Sequence, residues 1–134
     1  TSADLVDLTG LLRALGGRRW IRTLTILGTP RVKQRPRFTR AGHAFVPREE
    51  RDAVKATRVV LEDHGVLCDS EPLAVAFLFY RPNHHKVDGD NLVKYALDVA
   101  QGILWRNDNQ VLAHAAVIRV DRYSPRTAIG WARL

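Results

Sequence analysis

Eight consecutive apolar residues, Leu73 to Tyr80, run between Pro72 and Pro82. No other stretch constrains the fold of this chain as strongly. The run is far too short for a membrane helix, which needs about 20 apolar residues. Its length and aromatic content favour a strand, and the lack of polar alternation requires that both faces of that strand be buried. A chain of 134 residues can bury them in a single core, because roughly two thirds of the unfolded surface is removed from water at this size. One domain over residues 1–134 is therefore expected.

Periodicity places the other elements. Leu5, Leu8, Leu12 and Leu15 recur at helical spacing, with Ser2 as the N-cap and Gly16-Gly17 as the stop. Residues 1–17 thus read as a short helical appendage. Trp20 to Leu27 alternates as a strand does, and Gly28-Thr29-Pro30 ends it. Phe38 to Val46 reads as a β-hairpin or a loose loop around Ala41-Gly42. Pro47 opens a helix to about His64, with Ala53, Val54, Thr57, Val60 and Leu61 on one face and Gly65 after it. Arg81 to Gly89 is a polar loop. Asp90 to Gln101 reads as a helix capped by Asp90, burying Leu92, Tyr95, Ala96 and Val99, and closed by Gly102. Gln110 to Asp121 and Arg126 to Trp131 are expected to be two antiparallel strands joined across Tyr123-Ser124-Pro125. Strands and helices mix without strict βαβ alternation, so the fold class is α+β. It comprises a small mixed or antiparallel sheet, two main helices and a short N-terminal helix.

Charge narrows the function. Lys and Arg number 21 against 14 Asp and Glu, a net of +7. The excess is concentrated: Arg13 to Arg58 holds thirteen basic and three acidic residues, whereas Val59 to Leu134 holds eight and nine. A basic half joined to a nearly neutral half is the footprint of a polyanion binder, and Arg dominance points to nucleic acid. The single cysteine, Cys68, makes neither an internal disulfide nor a thiolate zinc site, which fits a reducing compartment. No basic-then-apolar leader opens the given chain. The expected location is the cytoplasm of a bacterial or phage-infected cell, with no membrane partner.

The chemistry lies between Lys86 and Gln110. Asp88 and Asp90 are two apart in an extended segment and point to one side. Lys94 lies one helical turn beyond Asp90 on the same face. Asp108 follows the helix: about eleven helical residues travel roughly 16 Å, and Trp105 to Asp108, if extended, bring the chain back about 13 Å. Asp108 can thus approach Asp88 and Asp90, although a dimer partner could equally supply it. Three carboxylates held together repel unless a cation lies between them. Hard oxygen ligands without thiolate favour Mg²⁺ or Mn²⁺. A carboxylate-held cation beside a polyanion groove suits phosphodiester hydrolysis, with Lys94 countering the negative charge of the pentacovalent phosphate.

Blander readings stand beside these. Asp88-Gly89-Asp90-Asn91 alone is ordinary turn-and-cap chemistry. An EF-hand fails, because Leu92 and Val99 occupy ligand positions. His84 and His85, adjacent in an extended loop, point apart. His43, His64 and His114 read as surface or satisfied core residues, Cys68 as structural, and Asp98 as a surface charge.

The stretch Lys86 to Val111 resembles the signature of the RusA family of Holliday junction resolvases. Asp88, Asp90, Asn91, Lys94, Asp108, Gln110 and Val111 match its Asp-x-Asp-Asn segment, following lysine and later Asp-x-Gln-aliphatic segment in order. Lys33-Gln34-Arg35-Pro36-Arg37-Phe38 resembles the family's Lys-x-Arg-Pro-Arg segment, and the order of elements agrees from about Trp20 onward. The resemblance implies a homodimeric, Mg²⁺-dependent endonuclease, with Mn²⁺ substituting, that makes paired symmetric nicks in four-way DNA junctions. It implies Asp88, Asp90 and Asp108 as metal-binding catalytic acids and Lys94 as the catalytic lysine. Two departures bear on metal affinity: Asn107 stands where many relatives carry an acid, and Gly89 loosens the Asp88-Asp90 segment. Lys33, Arg35, Arg37, Arg40 and Lys86 are the expected phosphate contacts. Phe38 either stacks on an opened base or packs the hairpin. A branched- or flap-DNA nuclease of looser specificity and a non-catalytic DNA-binding protein are the rival readings.

Overall fold

The computed structural model describes residues 1–34, 37–64 and 70–134; the expectations for Arg35, Pro36, Gly65 and Cys68 fall outside them. The elements in chain order are α1 (Ser2–Ala14), β1 (Arg19–Leu27), β2 (Arg37–Phe38), β3 (Ala44–Phe45), α2 (Arg48–Asp63), β4 (Leu73–Arg81), α3 (Gly89–Ala100), β5 (Val111–Val120) and β6 (Arg126–Arg133). A single 3-10 turn, Asp108–Gln110, precedes β5. The α+β class holds, with a mixed four-stranded sheet in the order β1-β6-β4-β5 and a separate β2-β3 hairpin.

The apolar run is β4, and seven of its nine residues are below 2% exposed, which makes it the centre of the molecule. Its odd-numbered residues Val75, Phe77 and Phe79 join Leu92, Val99, Trp105 and Trp131 in a core beneath α2 and α3. Its even-numbered residues Ala74, Ala76, Leu78 and Tyr80 face the opposite way, onto Leu8 and Leu12 of α1. Strand alternation thus delivers one residue set to each layer. The α1 side is lined by small residues because the helix lies close. A Cβ at Gly130 would come within 3.2 Å of Leu12 and 3.3 Å of Leu8.

Three local expectations change. The α1 cap is Thr1, whose hydroxyl accepts from the Asp4 N–H at 3.1 Å, instead of Ser2. The α3 cap is Asp88 instead of Asp90. Val60 lies on the solvent side of α2 at 42% exposure, because only Glu50 and Leu61 of that helix are buried.

One topological expectation also changes. β5 and β6 do not pair with each other. β4 lies between them, parallel to β5 and antiparallel to β6, while β6 continues antiparallel to β1. β4, α3 and β5 therefore form one βαβ crossover. That crossover decides where the candidate site lies.

A buried polar cluster fastens α1 to the sheet. Arg126 donates to Asp4 through Nε at 2.9 Å and Nη2 at 3.2 Å, and Tyr80 donates its hydroxyl proton to Asp4 at 2.6 Å. The Arg126 guanidinium lies 3.7 Å from the Tyr80 ring centroid and also pairs with Asp121 at 2.9 Å. Burial pushes the Asp4 carboxyl up, but the hydrogen bonds from Arg126 and Tyr80 outweigh it and hold the pKa at about 2.

Candidate active site and nucleic-acid interface

In a βαβ unit the connecting helix runs antiparallel to its strands. α3 therefore begins over the C-terminal ends of β4 and β5 and ends over their N-terminal ends. Asp88 stands at the first of these places. Its Oδ1 accepts from the Asp90 N–H at 2.9 Å and the Asn91 N–H at 3.4 Å, satisfying two free donors of the helix start. Its Oδ2 accepts from the Asn91 side-chain amide at 3.4 Å. Asp90 and Lys94 are exposed at the spacing of one helical turn. The Lys33 N–H donates to the Asn91 carbonyl at 3.0 Å, tying the start of the basic segment to the same helix turn.

Asp108 stands at the other end. Its N–H donates to Gln101 Oε1 at 3.1 Å, and its Oδ1 accepts from the Trp105 indole N–H at 3.0 Å. Trp105 is fully buried against Trp131, with ring centroids 6.4 Å apart. Asp108 is thus fixed by the C-terminal end of α3. The chain reaches it through a tight turn in which the Gly102 N–H donates to the Trp105 carbonyl at 2.6 Å. Gly102 takes φ +84, which only glycine adopts without strain. Burial pushes the Asp108 carboxyl up, the Trp105 N–H opposes this, and the Asp98 charge pushes up against the pull of Lys33; the net shift is upward.

The expected return of Asp108 to Asp88 and Asp90 does not occur within one chain. Between Asp88 and the end of α3 that holds Asp108 lie the 12 residues of the helix, a length of about 18 Å, and Asp90 stands in its first turn, about 15 Å from that end. Among the described residues no three His, Cys, Asp or Glu side chains gather as a metal site. Trp105 to Asp108 fail to carry the chain back because Trp105 is anchored in the core and Gln101 holds the Asp108 backbone. A cation held by three carboxylates of one chain does not fit this arrangement.

Asp98 is an exposed surface charge, as expected, and it has a partner from the basic segment. It takes an ion pair from Lys33 Nζ at 2.7 Å and lies within electrostatic reach of Asp108. Asp90, Lys94 and Asp98 form one exposed stripe along α3 at four-residue spacing, and that spacing was the available signal. Asn107 acts locally: its side chain accepts from the Asn109 N–H at 3.0 Å, and its N–H donates to Gln110 at 2.8 Å. Arg58 reaches from α2 to the Val99 and Gln101 carbonyls at 3.1 and 3.0 Å, closing the end of α3.

Three basic residues line a groove on the Asp88 side. An open groove of about 380 Å³ is lined by Pro30, Arg31, Gln34, Arg81, Lys86 and Val87 among others, immediately before Asp88. Arg31 and Arg81 were not anticipated there. Arg31 pairs with Glu50 at 3.3 Å, and Arg81 donates to the His85 carbonyl, which shapes the loop that carries Lys86. Arg37, Phe38 and Arg40 project from the β2-β3 hairpin, and Phe38 is 69% exposed, so it does not pack the hairpin. Lys33 is engaged by Asp98 instead of extending as a free arm.

The family model for Endodeoxyribonuclease RusA matches residues 28–130. The chain belongs to the RusA family. The match runs from the end of β1 into β6 and takes in Asp88, Asp90, Lys94, Asp98 and Asp108, whereas α1 lies outside it. No curated protein gives a match. RusA members are endodeoxyribonucleases, so the acidic and basic surfaces belong to a DNA-cutting enzyme, and the non-catalytic alternative falls. Among the described residues, no helix is long and apolar enough to cross a membrane.

Proposed function

We propose that two copies of this chain form a Mg²⁺-dependent resolvase that places paired, symmetric nicks in four-way DNA junctions. The observation that supports this most is the separation of Asp108 from Asp88 and Asp90 along α3. A symmetric dimer can reunite them, with Asp88 and Asp90 from one protomer and Asp108 of the partner subunit completing each site. Such a dimer has two equivalent sites related by a two-fold axis, and a four-way junction offers two equivalent strands to cut.

Asp88, Asp90 and the partner's Asp108 would hold Mg²⁺, or Mn²⁺ in its place. A cation held by these carboxylates would supply neutralisation of charge on the scissile phosphate and a more acidic water. Lys94 adds a positive charge one turn from Asp90, where the phosphate oxygens gather negative charge. Arg37, Arg40, Lys86 and, just before them in the sequence, Arg35 grip phosphates, with Lys33 joining them once it exchanges Asp98 for a phosphate, while Phe38 offers a stacking face to an unpaired base. The enzyme acts in the cytoplasm of a bacterial or phage-infected cell, in recombination and repair.

The test is cleavage of a labelled, immobile four-way junction by the wild type and Asp90→Asn, with and without Mg²⁺, beside linear duplex and flap substrates. Symmetric Mg²⁺-dependent nicks on the junction, lost in Asp90→Asn while binding is kept, are expected. Equal cleavage of flaps would replace the resolvase reading with a branched-DNA nuclease. Cleavage unaffected by Asp90→Asn would overturn the assignment of the acids.

A further inference from the structure

We infer that Trp20 and the arginines around it form a second DNA surface, at the outer β1 edge of the sheet, which takes a duplex arm of the junction. The inference rests on the junction-cutting reading and carries the contacts of that substrate beyond the groove at Lys86. Two observations single out Trp20. It is 59% exposed, whereas Trp105 and Trp131 are fully buried. It also takes φ 56, and among the described residues no other non-glycine has a positive φ. Left-handed backbone is costly for a bulky side chain, and such outliers gather at binding sites. The register of β1 with β6 breaks between Arg19 and Arg22, around this residue, and a break of that kind re-aims a side chain.

The indole lies among cations. The Arg133 guanidinium is 4.6 Å from its ring centroid and that of Arg22 is 5.7 Å away. Arg18 and Arg19 are exposed beside it, and Arg19 donates to the Leu134 carbonyl at 2.8 Å. Among the described residues, Arg18, Arg19 and Arg22 have no carboxylate at ion-pair distance. Unneutralised guanidiniums around an exposed aromatic ring suit a polyanion: phosphates satisfy the cations, and the indole packs on the sugar between them. Place makes that polyanion the substrate. Arg19, Arg133, Leu73 and Val111 stand in one row across the sheet, so the patch lies three strand spacings, about 14 Å, from the start of β5. Asp108 is three residues before that point. Arg22 is the β-partner of Trp131, whose ring meets Trp105, and Trp105 in turn holds Asp108. DNA that passes Asp108 and continues across this end of the sheet reaches Trp20 within about four base pairs at 3.4 Å each. The groove at Lys86 is at the opposite end of α3 and supplies no cation here. Arg18, Arg19, Trp20, Arg22 and Arg133 all fall outside the family match at residues 28–130, so the patch is this chain's own addition to it.

The test uses the full chain and a four-way junction in EDTA, so that DNA is bound and not cut. Of the three tryptophans only Trp20 is open to acrylamide, a neutral quencher. Saturating junction should lower the quenching of wild-type fluorescence to that of Trp20→Phe. Arg19→Ala combined with Arg22→Ala should reduce the salt slope of junction binding by about 2, at about 0.9 per phosphate contact. That double variant should keep the wild-type melting temperature and, with Mg²⁺ restored, the wild-type cleavage rate at saturating junction. If its melting temperature falls, the quenching result decides alone. Quenching that stays at the level of free protein, in a complex whose formation is shown by gel shift, overturns the surface. An unchanged salt slope in the folded double variant does the same, and in both cases junction cleavage by the wild type leaves the nuclease reading intact. A wild type that binds no junction removes the substrate reading and this surface with it.

Discussion

If each site draws Asp88 and Asp90 from one protomer and Asp108 from the other, two inactive enzymes must restore each other. Mg²⁺ holds its oxygen ligands at about 2.1 Å, so one ion cannot span the roughly 15 Å or more of α3 that lies between Asp88 and Asp90 and the helix end holding Asp108 in a single chain. Consider Asp90→Asn and Asp108→Asn, each inactive as a homodimer because both of its sites are damaged. In the mixed dimer both substitutions fall in one site, and the other site is wild type throughout. Random exchange gives mixed dimers as about half of the population, each with one intact site, so about a quarter of the wild-type sites return. The assay is co-refolding or co-expression of differently tagged chains, purification through both tags, and cleavage of a junction labelled on all four strands. Nicking should recover, and the products should be single nicks and not resolved duplexes, because each mixed dimer has only one competent site. Mixed dimers that are isolated as such yet cleave no better than the parents would refute the reasoning, since a site confined to one chain cannot be rescued.

Other expectations follow from the same structure. Asp108 is partly buried and its pKa is raised, so its charged form costs folding stability that is absent below the unfolded carboxylate pKa and appears as pH rises through the folded value. Asp108→Asn should therefore raise the melting temperature at pH 7 while abolishing cleavage, and the gain over wild type should shrink toward pH 4. Asp4 behaves oppositely: its pKa falls from 3.8 to about 2, worth about 2 kcal/mol at neutral pH. That contribution is complete above the unfolded value and is lost as pH falls through the folded one. Asp4→Asn should lower stability by about that amount or somewhat more, because it leaves Arg126 short of a buried partner; chemical denaturation at pH 7 and pH 2 would show the difference closing in acid. Arg37→Ala should weaken binding to every DNA shape alike and reduce the salt slope of binding by about 1. An unchanged slope would remove Arg37 from the contacts.

Much of this was legible locally. Eight apolar residues in a row required a strand covered on both faces, and β4 has that place. Leu92, Tyr95, Ala96 and Val99 were readable as the buried face of α3 because helical period and burial are set by neighbours a turn apart. The acids, Lys94 and the basic segment were likewise visible as a set, and the family match covers them. Assigning the α3 cap failed by two residues, since Asp88 and Asp90 are equally good cap residues and only the path of the loop from β4 selects Asp88.

A period-2 pattern states which face of a strand is buried and says nothing about which strand lies beside it. The sequence by itself determined the inventory: two covered sheet faces, an amphipathic helix preceded by carboxylates, and an arginine-rich first half. The tertiary structure decided that β6 pairs with β1 and β4, that β5 is left at the edge, and that α3 runs back along the β4-β5 pair. It also brought Lys33 to Asp98, and it placed Asp108 at the end of α3 opposite Asp88. These are contacts between residues far apart in the chain, fixed by the joint packing of Trp105, Trp131 and the β4 side chains in one core, and no local pattern contains them.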